Sequence, residues 1–278
     1  YNRCSNRNEK RRGSFLRILF VGDVVGSIGR QAISEYVPQL KKKYHPQVTI
    51  VNGENAAAGR GITEKIYKGL LQDGADVITL GNHAWDNRDL FEFISNAKKL
   101  VRPANFPESV PGVGVVYTKV NQLELAVINL QARTFMVALD DPFTKMDAIL
   151  AQVAERTPLI FVDFHGEATS EKQAMGWYLD GRTSLVYGTH THIQTADDRI
   201  LEKGTGFISD VGMTGAHDSI IGMTIETVLP KFLTSLPSKF EVATENVKVN
   251  GLEIEIDKNG LCKSIERINV SIEELDFL

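Results

Sequence analysis

From Leu16 onward the chain alternates two kinds of apolar pattern. Leu16–Val21, Val48–Val51 and Val77–Leu80 are short runs rich in β-branched residues, as expected of strands buried on both faces. Between and after them, Arg30–Tyr44, Thr63–Asp73 and Asn87–Ala97 space their apolar residues as helices do. Val113–Lys119 and Leu123–Asn129 predict an antiparallel hairpin turning at Asn121–Gln122, followed by a helix over Pro142–Glu155. A strand at Leu159–Phe164 and a helix at Ser170–Leu179 come next. Leu185–Tyr187, Phe207–Ser209, Val247–Ile256 and Cys262–Ile268 supply further strands, the last two joined by a turn at Lys258–Asn259–Gly260. Each early strand runs into a polar, Gly-containing loop. The mixture predicts an α/β fold with two packed sheets in preference to one open parallel sheet.

The first residues depart from this pattern. Residues 1–13 (YNRCSNRNEKRRG) are polar and basic without apolar periodicity, and read as a disordered basic tail or an expression remnant. With no repeat or long linker beyond them, residues 14–278 are expected to form a single domain.

Composition narrows the function. The formal charge of −4 over 278 residues gives no basic coat, so neither a stable nucleic-acid complex nor a membrane surface is expected. No apolar run reaches the roughly 18 residues of a span. The two cysteines, Cys4 and Cys262, are too few for a disulfide framework and lack thiolate metal-site spacing. A reducing cytoplasm is the expected location; homo-oligomerisation is left open.

The chemistry sits at the strand ends. Asp23 follows the first strand in Gly22–Asp23–Val24–Val25–Gly26, at the edge where α/β proteins bind ligands, though an isolated Asp there also reads as a turn former. Glu54 and Asn55 follow the second strand, and Asn82 and His83 the third. A solvated Asx loop and a capping Asn remain alternatives for these taken singly. His165 closes the strand that carries Asp163, and His190 and His192 follow Leu185–Tyr187. If that segment is extended, the last two imidazoles share a side about 6.5 to 7 Å apart, suited to two adjacent metals. Four of the six histidines thus occupy Gly-flanked loops after strands, beside Asp23, Glu54 and Asn82. Oxygen donors mixed with imidazoles and without thiolates suit manganese, iron or zinc. Two ions there could clamp a phosphoryl group. His45 reads as a surface residue. His217, in the Gly-rich stretch after Phe207–Ser209, reads equally as a substrate-framing or a structural turn residue.

Taken in order, GD (22–23), GEN (53–55), GNH (81–83), His165 and GTHTH (188–192) resemble the signature of calcineurin-like metallophosphoesterases. The longer segments GDVVGSIGR, NGENAAAGRG, LGNHAWD, DFHGEATSEK, GTHTHIQTAD and GAHDSIIG resemble the YmdB-like branch, whose members hydrolyse 2′,3′-cyclic nucleotides. The resemblance implies a four-layer α/β/β/α sandwich and two metal ions. Asp23, Asn55 and His192 would hold one ion, Asn82, His165 and His190 the other, and Glu54 would bridge them. The wider superfamily has Asp-x-His in its first motif and Asp in its second, where this chain has Val25 and Glu54; one imidazole is therefore missing from the first ion. Iron or manganese is the expected metal, with zinc as an alternative. The implied substrate is a small phosphodiester such as a 2′,3′-cyclic nucleotide, attacked at phosphorus by metal-activated hydroxide, with His83 donating a proton to the leaving oxygen. Asp163 and Glu167 either orient ligand imidazoles or are ordinary loop carboxylates.

Two other readings bear on the same residues. Gly22-x-x-x-Gly26-x-x-Gly29 followed by Glu54 suggests an NAD-dependent oxidoreductase, but the G-x-G-x-x-G fingerprint is absent and the histidines go unexplained. A nonenzymatic, metal-stabilised signalling or scaffold protein would keep the same donors.

Overall fold

The computed structural model describes residues 15–271; the tail assigned to residues 1–13 lies outside the described residues. Two mixed sheets face each other. The larger is built on β1 (Leu16–Val21), with β3 (Val48–Asn52), β4 (Val77–Thr79) and β5 (Leu100–Val101) parallel to it on one side. On its other side runs antiparallel β13 (Val247–Ile256), which pairs with β14 (Cys262–Ser271) and with β12 (Met213–Ala216). A two-residue strand, β2 (Asp23–Val24), closes that edge against β12.

In the second sheet β7 (Leu123–Gln131), β8 (Leu159–His165), β9 (Leu185–Thr189) and β11 (Gly206–Ile208) are parallel. Antiparallel β6 (Val115–Val120) and β10 (Arg199–Ile200) flank them.

Strand periodicity explains the layering, because successive side chains face opposite sides of a sheet. Along β1, Leu19 and Val21 pack under α1 (Gly26–Tyr44) and α2 (Glu64–Gln72), whereas Ile18 and Phe20 point into the space between the sheets. In β8, Phe161 joins the intersheet core, while Ile160, Val162 and Phe164 pack toward α4 (Pro142–Arg156) and α5 (Thr169–Tyr178). Three apolar cores therefore separate four layers, the expected α/β/β/α sandwich.

Several elements differ from the sequence expectation. The first helix begins at Gly26 instead of Arg30, and the helix expected over Asn87–Ala97 is a short α3 (Asp89–Phe93) continued as 3-10 turn over Ile94–Asn96. The stretch holding Met213–Ala216 is a strand where a loop was expected. Helix α6 (Ile225–Thr234) was not anticipated, since Pro230 within it reads as a breaker. The glycine series 22, 26 and 29 is occupied by packing: a β-carbon at Gly22 would overlap the Gly212 carbonyl oxygen, one at Gly26 would press on Val242, and one at Gly29 would crowd the Thr214 carbonyl oxygen. The spacing that suggested a dinucleotide loop serves instead to bring α1 onto its sheet.

Candidate metal centre

Parallel strands from both sheets end at one seam, and the donors follow those ends. Asp23 follows β1, Glu54 and Asn55 follow β3, and Asn82 follows β4, all from the larger sheet. His165 closes β8, and His190 and His192 follow β9. All seven come together. His165 Nε2 lies 2.8 Å from Asn82 Oδ1, 3.0 Å from Glu54 Oε1 and 3.1 Å from His190 Nδ1. Donor atoms of Glu54, His165 and His190 all fall within 4.8 Å of one another. On the other side, Asn55 Nδ2 is 3.0 Å from His192 Nε2, and the His190 backbone N–H donates to Asp23 Oδ2 at 3.3 Å.

The tautomers follow from the partners of the outer nitrogens. Thr189 donates its single hydroxyl proton to Asp163 Oδ1 at 2.6 Å, so its oxygen must accept from His165 Nδ1–H at 2.8 Å. Neutral His165 is then bare at Nε2. His190 Nε2 stands 3.1 Å from Glu167 Oε2, a carboxylate that can only accept when ionised, which leaves Nδ1 bare. His192 Nδ1–H donates to the Ile221 carbonyl at 2.8 Å, and Nε2 is the free face. Three imidazoles thus turn their lone pairs inward, each fixed from behind by an acceptor.

Electrostatics push the same way. Burial drives the Asp23 carboxyl well above the carboxylate range, reinforced by Glu54, Asp210 and Asp163, and its Oδ1 is buried without a hydrogen-bond partner. Burial alone would raise Glu54, but His165 outweighs it and brings the group to about 2. His165 is lowered by burial yet lifted to about 9 by Glu54, then Asp23 and Asp163. The cluster therefore holds a proton where a cation would fit. Burial, then His165, lowers His190 to about 3. Convergent acceptors, an orphan carboxylate oxygen, two imidazoles pushed by burial toward the neutral form and a third that holds a proton between carboxylates fit a divalent cation.

Supports from both sheets lie beneath. Asp163 also accepts from Thr79 Oγ1 at 2.6 Å and Asn52 Nδ2 at 3.2 Å, so one buried carboxylate joins β3, β4, β8 and β9. A buried Lys172–Asp210 pair at 2.7 Å holds the loop after β9, because Asp210 also accepts from the Thr191 N–H. Gly81 must lack a side chain, since a β-carbon there would overlap Glu54 Oε2 and His165 Nε2.

The extended segment expected at His190 and His192 is absent. Both residues have positive φ, 104° and 66°, so the chain coils back on itself and each ring reaches inward separately. Asn55 presents its amide nitrogen to His192, and a half-turn of that amide would bring Oδ1 inward. His83 stands at the rim, its backbone N–H donating to Glu54 Oε2 at 3.2 Å and its Nδ1 2.8 Å from Asp86 Oδ2. His217 is structural, set between the Gly215 carbonyl and Asn250 Oδ1. His45 is exposed. Glu167 backs the His190 imidazole directly, and Asp163 backs that of His165 by way of Thr189. Thr189, Thr79, Asn52, Lys172 and Asp210 went unread in the sequence; their only signal was polarity inside or just beyond apolar runs.

Known proteins show the same arrangement of chain. A Bacillus subtilis 2′,3′-cyclic-nucleotide 2′-phosphodiesterase is 58% identical over 263 residues, which is 94% of this chain and all of that protein. A phosphatase from Mycoplasma pneumoniae superposes with a TM-score of 0.87 at 34% identity, covering 92% of this chain and 94% of that one. A Thermus thermophilus protein of unstated function gives the same TM-score at 39% identity, over 92% of this chain and 99% of its own. The model of the YmdB-like protein family matches residues 19–268, and the chain belongs to that family.

Proposed function

We propose that the protein is a metal-dependent phosphodiesterase that opens 2′,3′-cyclic nucleotides, by analogy with its Bacillus relative at the 2′ ester. The carrying observation is the set of three imidazoles held from behind, with the inner nitrogens of His165 and His190 facing Glu54, Asn82 and each other and that of His192 facing Asn55. Asn82, His165 and His190 would hold one ion, Asp23, Asn55 and His192 the other, with Glu54 between them. The oxygen-rich, thiolate-free set favours iron or manganese over zinc. When bound, the ions supply Lewis acidity toward the phosphoryl oxygens and lower the pKa of water.

The chain's own residues do the rest. Glu54 is kept ionised by protonated His165, and by the ions themselves once these are bound. Asp163 and Glu167 keep the imidazoles oriented. His83, steadied by Asp86, faces the cavity from which a leaving ribose oxygen would take its proton. No helix among the described residues is long and apolar enough to cross a membrane. With Cys262 a buried unpaired thiol, a reducing cytoplasmic setting fits.

Elemental analysis together with initial rates on 2′,3′- and 3′,5′-cyclic nucleotides tests the proposal. Two ions per chain and a strong preference for the 2′,3′ series are expected. Metal without turnover would favour the scaffold reading.

A further inference from the structure

The cavity above the donors, about 390 Å³, has two unlike sides. One carries Glu54, Asn55, His190 and His192. The other is apolar, formed by Ile221, Met223, Val228, Phe232 and Phe240. This second wall comes from the excursion between β12 and β13, which belongs to neither sheet. Its placement is nevertheless defined. Thr224 N–H donates to the Glu241 carbonyl at 2.8 Å and Ala243 N–H to the Gly222 carbonyl at 2.9 Å, closing the excursion on itself. Val242 packs where a β-carbon of Gly26 would stand, and Met223 where one of Gly59 would. The glycines of GDVVG and AAAGRG, which the metal centre does not use, thus seat this wall over the donors.

Ile221 is a β-branched residue at φ 48°, a conformation such residues rarely adopt. That backbone turn directs its carbonyl to His192 Nδ1, while its side chain lines the cavity. Phe232 is 74% exposed, although it borders the cavity. Phe232 presents a largely uncovered ring to this centre, and Phe240 a half-buried one with the Lys231 ammonium 5.2 Å from its ring centre, so the two rings leave room for a flat apolar face beside that cation. A purine or pyrimidine supplies a flat face of that kind.

We infer that this wall seats the base of the substrate, with Phe232 and Phe240 gripping it by ring contact and not by reading its hydrogen-bonding edge. The inference rests on the phosphodiesterase reading above. It implies tolerance of base identity with a preference for the larger purine.

The test compares the metal-loaded protein with the F232A, F240A and double variants on three esters. These are adenosine 2′,3′-cyclic phosphate, cytidine 2′,3′-cyclic phosphate and the base-free methyl riboside 2,3-cyclic phosphate. Wild-type kcat/KM should be at least about tenfold higher for the adenosine ester than for the base-free one, mainly through KM. In the double variant that ratio should fall about tenfold, with cytidine less affected. Calorimetric titration with adenosine 3′-monophosphate against ribose 3-phosphate should show the same narrowing without turnover. Equal wild-type efficiency on the nucleotide and base-free esters, or a ratio unmoved in the double variant, overturns the base subsite while leaving the phosphodiesterase reading intact. Failure of the loaded wild type on all three esters overturns that reading and the inference with it.

Discussion

Thr189→Val is the most informative single change, because it removes one hydroxyl and almost no volume. The hydroxyl donates to Asp163 Oδ1 and accepts from His165 Nδ1–H, and Thr189 is completely buried. Valine leaves both groups without that partner. Burial already lifts the Asp163 carboxyl to about 6, with the donors from Thr189, Thr79 and Asn52 holding it down. Loss of one donor raises it further. Each orphaned group costs about 1 to 3 kcal/mol, so stability should fall by about 2 to 6 kcal/mol. A folded-state pKa raised further also makes the loss grow with pH above the ordinary carboxylate range, because the unfolded chain ionises more readily. Metal binding should weaken by about 10- to 100-fold, since His165 loses the contact that keeps Nε2 bare and aimed inward. Competition against a chelator of known manganese affinity measures the first effect, and urea unfolding at pH 6 and 8 the second. Thr189→Ser, which keeps the hydroxyl, should bind metal nearly as the wild type does. A folded Thr189→Val protein with unchanged manganese affinity would refute the claim that the hydroxyl sets the His165 tautomer.

Three further outcomes are expected. Gly81→Ala should abolish metal uptake while far-ultraviolet circular dichroism stays native, because its β-carbon lands on Glu54 and His165; full occupancy would contradict the close approach. His83→Ala should keep its metal and lose about 10²- to 10⁴-fold in rate on a ribose leaving group, with a smaller loss on a nitrophenyl diester, whereas Asn82→Ala should lose metal and be slow on both. Glu253 in β13, pushed by burial, Glu255 and Glu266 from 4.5 to about 7, favours folding fully below about 4.5 and loses that contribution as pH rises to about 7. Glu253→Gln should remove a pH-dependent penalty on the order of 2 kcal/mol, discounted for solvent screening of a group that is not fully enclosed, and parallel stability curves for the two proteins between pH 5 and 8 would count against it.

Legibility in the sequence followed burial. Strands covered on both faces, such as β1, β3 and β8, read as mainly apolar runs interrupted by single polar residues, and their bounds match the sequence expectation within a residue. Strands β2 and β12 were invisible because they are short and hold their places by backbone pairing and glycine packing, not by apolar alternation. The candidate donors stood out because each lies at or just beyond the end of an apolar strand, close to a glycine. Thr189, Asn52 and Thr79 did not, because a buried hydroxyl or amide in a strand is indistinguishable from a surface one until its partner across the sheets is known. The coiled backbone at His190 and His192 likewise depends on tertiary support from Asp210 and Asp23, which no local propensity reports.

The donors come from two sheets that meet through apolar side chains, the Asp163 junction and a few polar bridges, among them Asn129 Nδ2 to the Leu80 carbonyl and Gln194 Nε2 to the Gly251 and Ile268 carbonyls. Asp23, Glu54, Asn55 and Asn82 belong to one half, and the three histidines to the other. Phe20 and Tyr187 stack between the halves with ring centres 4.2 Å apart, so the thickness of that filling sets the gap across which the ligand atoms face one another. The interior thereby acts as a spacer for the chemistry at its rim. A conservative exchange there, such as Phe20→Leu, is expected to alter the spacing of the proposed donors before it prevents folding, and would be read as a changed preference between metal ions.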